Sequence, residues 1–110
     1  MLSAFLLLGT NLGDRLQNLS SARQKLRALG VISGVSRVYE TEPWGISNQP
    51  SFYNQAIRLE TGLSPDSLLT ELKNIEIICG RTDAVRWGPR VLDIDIMLFD
   101  VPDAGTRFYT

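Results

Sequence analysis

Residues 91–99 read VLDIDIMLF, Val91 to Phe99. Apolar and polar side chains alternate here, and a period of two predicts a β-strand. Leu92, Ile94, Ile96 and Leu98 share one parity and should face a covering layer of helices. Asp93 and Asp95 share the other. Two carboxylates side by side on one strand face repel each other unless something neutralises them. A hard divalent cation does so, and magnesium is commonly held by one or two carboxylates together with substrate phosphates. The alternative is a pair of solvated aspartates on an exposed strand face.

Upstream of this strand lie Arg81, Arg86 and Arg90, with Trp87, Gly88 and Pro89 stiffening the approach. Guanidinium forks match phosphate oxygens and offset charge at a transferring phosphoryl group. Together with the aspartates, residues 80–95 read as a site for the phosphates and magnesium of a nucleotide. A basic loop paired with acidic neighbours such as Asp83 is the plainer reading. No GxxxxGK[ST] run occurs, so the site is not a P-loop.

Working outward, Leu2–Leu8 is a short apolar run ended by Gly9 and predicts a buried strand. Gly9 to Gly13 reads as a turn, and Asp14 as the cap of a helix. That helix carries Leu16, Leu19, Ala22, Leu26 and Leu29 at helical spacing, with Gly30 as its stop. Val31–Tyr39 is β-branched and predicts a second strand. Glu40–Ser51 contains Pro43, Gly45 and Pro50 and reads as a long loop. Phe52–Thr61 predicts a third strand, with Tyr53, Ile57 and Leu59 on one face and Phe52, Asn54 and Arg58 on the other. Ser64-Pro65-Asp66 opens a second helix. Its stripe is Leu68, Leu72, Ile75 and Cys79, and Gly80 closes it. Residues 100–110 read as a short irregular tail. The order β-α-β-β-α-β predicts an α+β, ferredoxin-like domain: a four-stranded antiparallel sheet with two helices on one face and the other face open.

A chain of 110 residues fits one domain, and a net charge of -1 argues against a general nucleic-acid or membrane-surface binder. The chain has no histidine, which removes imidazole acid–base chemistry and the usual zinc sites. Cys79 is the single cysteine and reads as a small buried residue in a reducing compartment, so a cytoplasmic location is expected. The opening MLSAFLLLG lacks the basic start of a signal peptide. Phe52 beside Asn54 on one strand face suits a flat heteroaromatic ligand, the ring stacking and the amide bonding its edge. Trp44 in the preceding loop could cover it. An ordinary strand with one exposed aromatic is the simpler account. By pattern alone Glu76 reads as a surface residue.

RWGPRVLDIDIMLF, Arg86 to Phe99, resembles the signature of the 6-hydroxymethyl-7,8-dihydropterin pyrophosphokinase family. LLLGTNLGD near the start, YETEPWG and QPSFYN around the long loop, and IEIICGR before the signature also match. The resemblance covers about the first hundred residues in order. It implies a ferredoxin-like core and transfer of pyrophosphate from ATP to the hydroxymethyl group of the dihydropterin, giving the pterin diphosphate and AMP in folate biosynthesis. On the same basis Asp93 and Asp95 would bind two magnesium ions. Arg81 and Arg90 would contact the triphosphate and assist transfer. Glu76, Trp87 and Ile96 would join them at ATP, and Thr41, Trp44, Phe52 and Asn54 would line the pterin pocket. The partners expected are ATP and the dihydropterin, with no nucleic acid and no membrane, and a monomer.

Three departures from the family pattern stand out. Family members usually continue for several dozen residues past the signature strand, through a Pro-His motif, whereas this sequence reads VPDAGTRFYT to Thr110. A shortened C-terminus is therefore expected. Asp83 stands where a further arginine is frequent, and Phe52 where tyrosine occurs. A non-catalytic relative that binds ATP-magnesium or pterin without efficient turnover is the alternative reading. An RNA-binding ferredoxin-like domain is a third, opposed by the absence of a basic excess.

Overall fold

The structure is a computed structural model that describes residues 1–43, 49–80, 91–101 and 105–108, the last stretch and Val101 through their backbone. The elements run β1 (Leu2–Thr10), α1 (Arg15–Leu26), β2 (Gly30–Val35), β3 (Tyr39–Thr41), β4 (Phe52–Thr61), α2 (Pro65–Ile78), β5 (Asp93–Val101) and β6 (Gly105–Phe108). The strands form one antiparallel sheet in the order β2-β4-β1-β5-β6, with β3 also on β4. The inner order β2-β4-β1-β5 is the split βαβ arrangement that the sequence predicts.

Both helices start where the sequence places caps. The Asp14 carboxylate accepts from the Gln17 amide at 3.1 Å, and the Ser64 hydroxyl accepts from the Ser67 amide at 3.2 Å. Gly80 closes α2 with φ +88, a left-handed conformation that glycine adopts freely. Gly30 has a different reason from the helix stop expected. α1 ends at Leu26, and Gly30 already belongs to β2. A Cβ on Gly30 would stand 2.1 Å from the Glu60 carbonyl oxygen, so close backbone approach to β4 excludes any side chain.

The core lies between the helices and one sheet face. Leu2, Ala4, Leu6 and Leu8 of β1 meet Ile57 and Leu59 of β4, Ile94 and Ile96 of β5, Leu19, Ala22 and Leu26 of α1, and Leu68, Leu72 and Ile75 of α2. Each large apolar side chain withdrawn from water contributes about 1.5–3 kcal/mol. Leu16, expected in the α1 stripe, is exposed. Cys79 is partly buried against the core, and that burial pushes its thiol up, with the Lys25 charge opposing.

Three features differ from the sequence reading. The expected second strand is two strands, laid end to end along one edge of β4. Between them the Ser36 hydroxyl accepts the Ala56 amide at 2.8 Å, taking a bond that a continuous ladder would give to a backbone carbonyl. The register of β5 on β1 slips at Met97, since Leu98 pairs with Phe5 but Ile96 with Leu6. One extra residue reverses the parity, so Phe99 rather than Leu98 enters the core, at 1% exposure. Finally, residues 100–110 are not uniformly irregular: β5 runs on to Val101, and Gly105–Phe108 pairs back on it as β6. Among the described residues no helix is long and apolar enough to cross a membrane.

Candidate active site

Even-numbered positions of β1 point into the core, which sends Leu7 and Gly9 to the open face. Gly9 pairs with Asp93 on one side and Asn54 on the other, while Leu7 pairs with Asp95 and Ala56. Farther out, Asn54 pairs with Tyr39 and Phe52 with Thr41. Directly opposed residues project to the same face. The four strands therefore bring Thr41, Phe52, Asn54, Asp93 and Asp95 around one cleft of about 180 Å³, completed by Leu7, Gly9 and Glu42. An adjoining hollow shares Leu7, Thr41, Glu42 and Asn54 and adds Tyr39 and Pro43.

The Asn54 amide is oriented by its neighbours. Its Nδ2 donates to Thr41 Oγ1 at 2.7 Å. Its Oδ1 lies toward Gly9, where a Cβ would stand 3.2 Å from it and 3.7 Å from Phe52 Cδ1. Gly9 thus keeps open the floor between an amide acceptor, an aromatic ring and the carboxylates. The sequence reading treated Gly9 as part of a turn. Its role follows from register, because it is the strand residue flanked by Asn54 and Asp93. Glu42 was also missed, since a loop position gives no parity signal.

Asp93 and Asp95 stand two residues apart on this face, and Asp95 is exposed. Among the described residues no cluster of three or more carboxylate, thiol or imidazole groups gathers to hold a metal. An oxygen-only pair suits a hard cation that completes its shell with phosphate and water. It does not form a closed protein cage.

Glu76 is a correction to the pattern reading, because it is buried at 3% exposure. Its Oε2 accepts from the Ile94 amide at 2.7 Å, and Lys73 Nζ lies 3.6 Å from Oε1. β6 reaches only as far as Leu98 along β5, so among the described residues no strand pairs with the outer side of the first half of β5. Glu76 satisfies a backbone donor there and ties the end of α2 to β5 between the two aspartates. Ile96, implied as an ATP contact, lies in the core at 8% exposure, on the opposite parity from the aspartates. At the far rim, the buried Asn11 donates to Gln49 Oε1 at 2.8 Å and to the Pro50 carbonyl at 3.0 Å. Trp44, Arg81, Asp83, Trp87 and Arg90 lie outside the described residues.

Fold and cleft together define a small antiparallel α+β protein with an open sheet face bearing paired carboxylates beside an aromatic–amide shelf. The family model described as 7,8-dihydro-6-hydroxymethylpterin-pyrophosphokinase matches residues 5–108, and the chain belongs to that family. It is 40% identical over 99 residues to the 2-amino-4-hydroxy-6-hydroxymethyldihydropteridine pyrophosphokinase of Aquifex aeolicus, covering 90% of this chain and 62% of the relative. The Bacillus subtilis protein of the same description is 43% identical over 106 residues, covering 94% and 64%. The mitochondrial folate synthesis bifunctional protein of Pisum sativum is 45% identical over 93 residues, covering 84% and 18%. The chain thus spans less than two thirds of the length of these relatives. In fold it is similar to a crystal structure of Plasmodium falciparum HPPK-DHPS with pteroate, at a TM-score of 0.67, 18% identity, 89% of this chain and 30% of that one.

Proposed function

We propose that the chain acts in transfer of pyrophosphate from ATP to 6-hydroxymethyl-7,8-dihydropterin, giving the pterin diphosphate and AMP. The observation that carries this reading is the single cleft at which Thr41, Phe52 and Asn54 meet Asp93 and Asp95. The names of the relatives, at 40% and 43% identity, support the same substrates. On this reading the pterin stacks on Phe52, and its polar edge bonds Asn54 and Thr41. Arg81, Trp87 and Arg90 are assigned to the triphosphate by resemblance, Trp44 to the pterin, and Glu76 and Ile96 to the surroundings of the nucleotide.

Asp93 and Asp95 would hold magnesium, with two ions expected, and the metal supplies neutralisation of the triphosphate charge. The hydroxymethyl oxygen attacks the β phosphorus. The bond from that phosphorus to the oxygen bridging to the α phosphorus breaks, and AMP leaves. The hydroxyl proton passes to water or a carboxylate. Such a reaction depends on positioning and charge, and so needs no histidine. A cytoplasmic setting and a monomer go with this reading.

The test is AMP release with ATP, magnesium and the dihydropterin. AMP is expected only when all three are present, with equimolar pterin diphosphate. Magnesium-dependent ATP binding by calorimetry with no AMP would replace the enzyme by a binding module.

A further inference from the structure

Arg15 is the first residue of α1, directly after the Asp14 cap. Its guanidinium crosses to the back of the β3–β4 pair. Nη1 donates to the Ser51 carbonyl at 3.0 Å and to Ser51 Oγ at 3.0 Å. The same group lies 3.8 Å from the centroid of the Tyr53 ring and 3.8 Å from Glu40 Oε2. Ser51 Oγ in turn donates to Glu40 Oε2 at 2.5 Å. One side chain therefore engages Glu40 of β3, Tyr53 of β4 and Ser51, the residue that leads into β4.

Each of those three is the chain neighbour of a cleft residue. Glu40 precedes Thr41, Ser51 precedes Phe52, and Tyr53 stands between Phe52 and Asn54. Glu40 and Tyr53 are also paired across the two strands. Side chains alternate along a strand, so residues 40, 51 and 53 face the helix side while 41, 52 and 54 face the cleft. The guanidinium fits the task. It is planar, stacks flat on an aromatic face and donates in a fixed fork, and an ammonium reproduces neither the flat stacking nor the fork. Only about a quarter of the Arg15 side chain is exposed, which limits screening by solvent.

We infer that Arg15 is a positioning residue for the aromatic ligand. From behind the sheet it fixes the register and tilt of the strands that carry Thr41, Phe52 and Asn54. A binding shelf loses affinity when its support is loose, even if every contact residue is intact. This inference rests on the pterin reading of the cleft. The aspartates belong to β1's other flank, on β5, so nucleotide–magnesium binding does not depend on Arg15.

The experiment compares Arg15→Met and Arg15→Lys with the wild-type chain. Calorimetry gives the affinity for 6-hydroxymethyl-7,8-dihydropterin in the presence of a non-hydrolysable ATP analogue and magnesium, and separately the affinity for the analogue. Arg15→Met is expected to weaken pterin binding about tenfold and leave the analogue within about twofold. Arg15→Lys keeps the charge beside Glu40 but loses the fork and the stack, so it should recover less than half of the loss. It also decides the matter should Arg15→Met fail to fold. Unchanged pterin affinity in a folded variant, or equal weakening of both ligands, overturns the inference. Failure of the wild-type chain itself to bind pterin overturns the parent reading, and this one with it.

Discussion

The two faces of the sheet are made by the same strands, yet they obey different rules. On the covered face Leu6, Leu8, Leu59 and Leu92 are wholly buried. On the open face Gly9 is empty of side chain between Asn54 and Asp93, and two carboxylates stand on one strand. The covered face is optimised for packing density, where a missing methylene group is felt. The open face keeps space and sets two carboxylates side by side, an arrangement that costs stability and makes sense toward a ligand. The strands separate stability from binding by parity alone, so substitutions on the two faces should have opposite signatures.

The strongest effect is expected on the covered face. Leu6→Ala removes a fully buried side chain from the centre of β1 and should cost about 3 kcal/mol of stability. Chemical denaturation checks this, and ligand affinities of the folded fraction should stay unchanged. A variant that lost ligand binding while keeping its stability would break the division between faces.

Next in size is Asp95→Ala. Magnesium-dependent ATP binding should fall by about a hundredfold, which is about 2.7 kcal/mol. Thermal stability should hold or rise, because removal of one of two neighbouring carboxylates relieves repulsion. Normal ATP-magnesium binding by calorimetry would reduce the pair to surface charge.

Gly9→Ala sharpens the comparison at a single methyl group. Alanine suits a strand better than glycine by about 0.5–1 kcal/mol, so the melting temperature should not fall. The added Cβ would press on Asn54 Oδ1 from 3.2 Å and narrow the shelf. Pterin binding should weaken about fivefold, a loss of about 1 kcal/mol. Unaltered binding would show that the floor at Gly9 does not touch the ligand.

The sequence made the covered face legible because burial repeats. Leu19, Ala22 and Leu26, or Leu68, Leu72 and Ile75, announce themselves by spacing. Asp93 and Asp95 were legible for the same reason, as the wrong residues at a regular parity. What stayed hidden has no local signal. The slip at Met97 comes from the fit of two strands, and nothing in IMLF marks which residue is extra. Glu76 looks like a surface glutamate because its partner, the Ile94 amide, lies eighteen positions away. Gly9 and Arg15 take their meaning from strands that arrive much later in the chain. The β5–β6 pairing across residues 102–104 was masked by proline and glycine, which read equally as a tail. Pairing register, more than composition, decides such features.

The smallest effect concerns a carboxylate on the open face that is compensated, far from the cleft. Glu60 receives hydrogen bonds from Ser3, and from Ser33 at 2.8 Å, with Arg58 Nε 3.0 Å away. The Ser3 bond first, then the Ser33 bond and Arg58, hold its carboxyl below the usual value of 4.5, while desolvation opposes them. A folded-state value below the unfolded one means that ionised Glu60 stabilises the fold. That contribution is complete above the unfolded value and is lost as pH falls through the folded one. Side-chain exposure of 25% allows solvent to screen it, so the effect should be well under 1 kcal/mol. Glu60→Gln should therefore be slightly less stable than wild type at pH 7, with the gap closing as pH drops below 4.5. Denaturation midpoints of the two chains across that range check the sign. A gap that widens in acid would mean that ionised Glu60 is a charge the fold merely tolerates, and not the satisfied group that its partners describe.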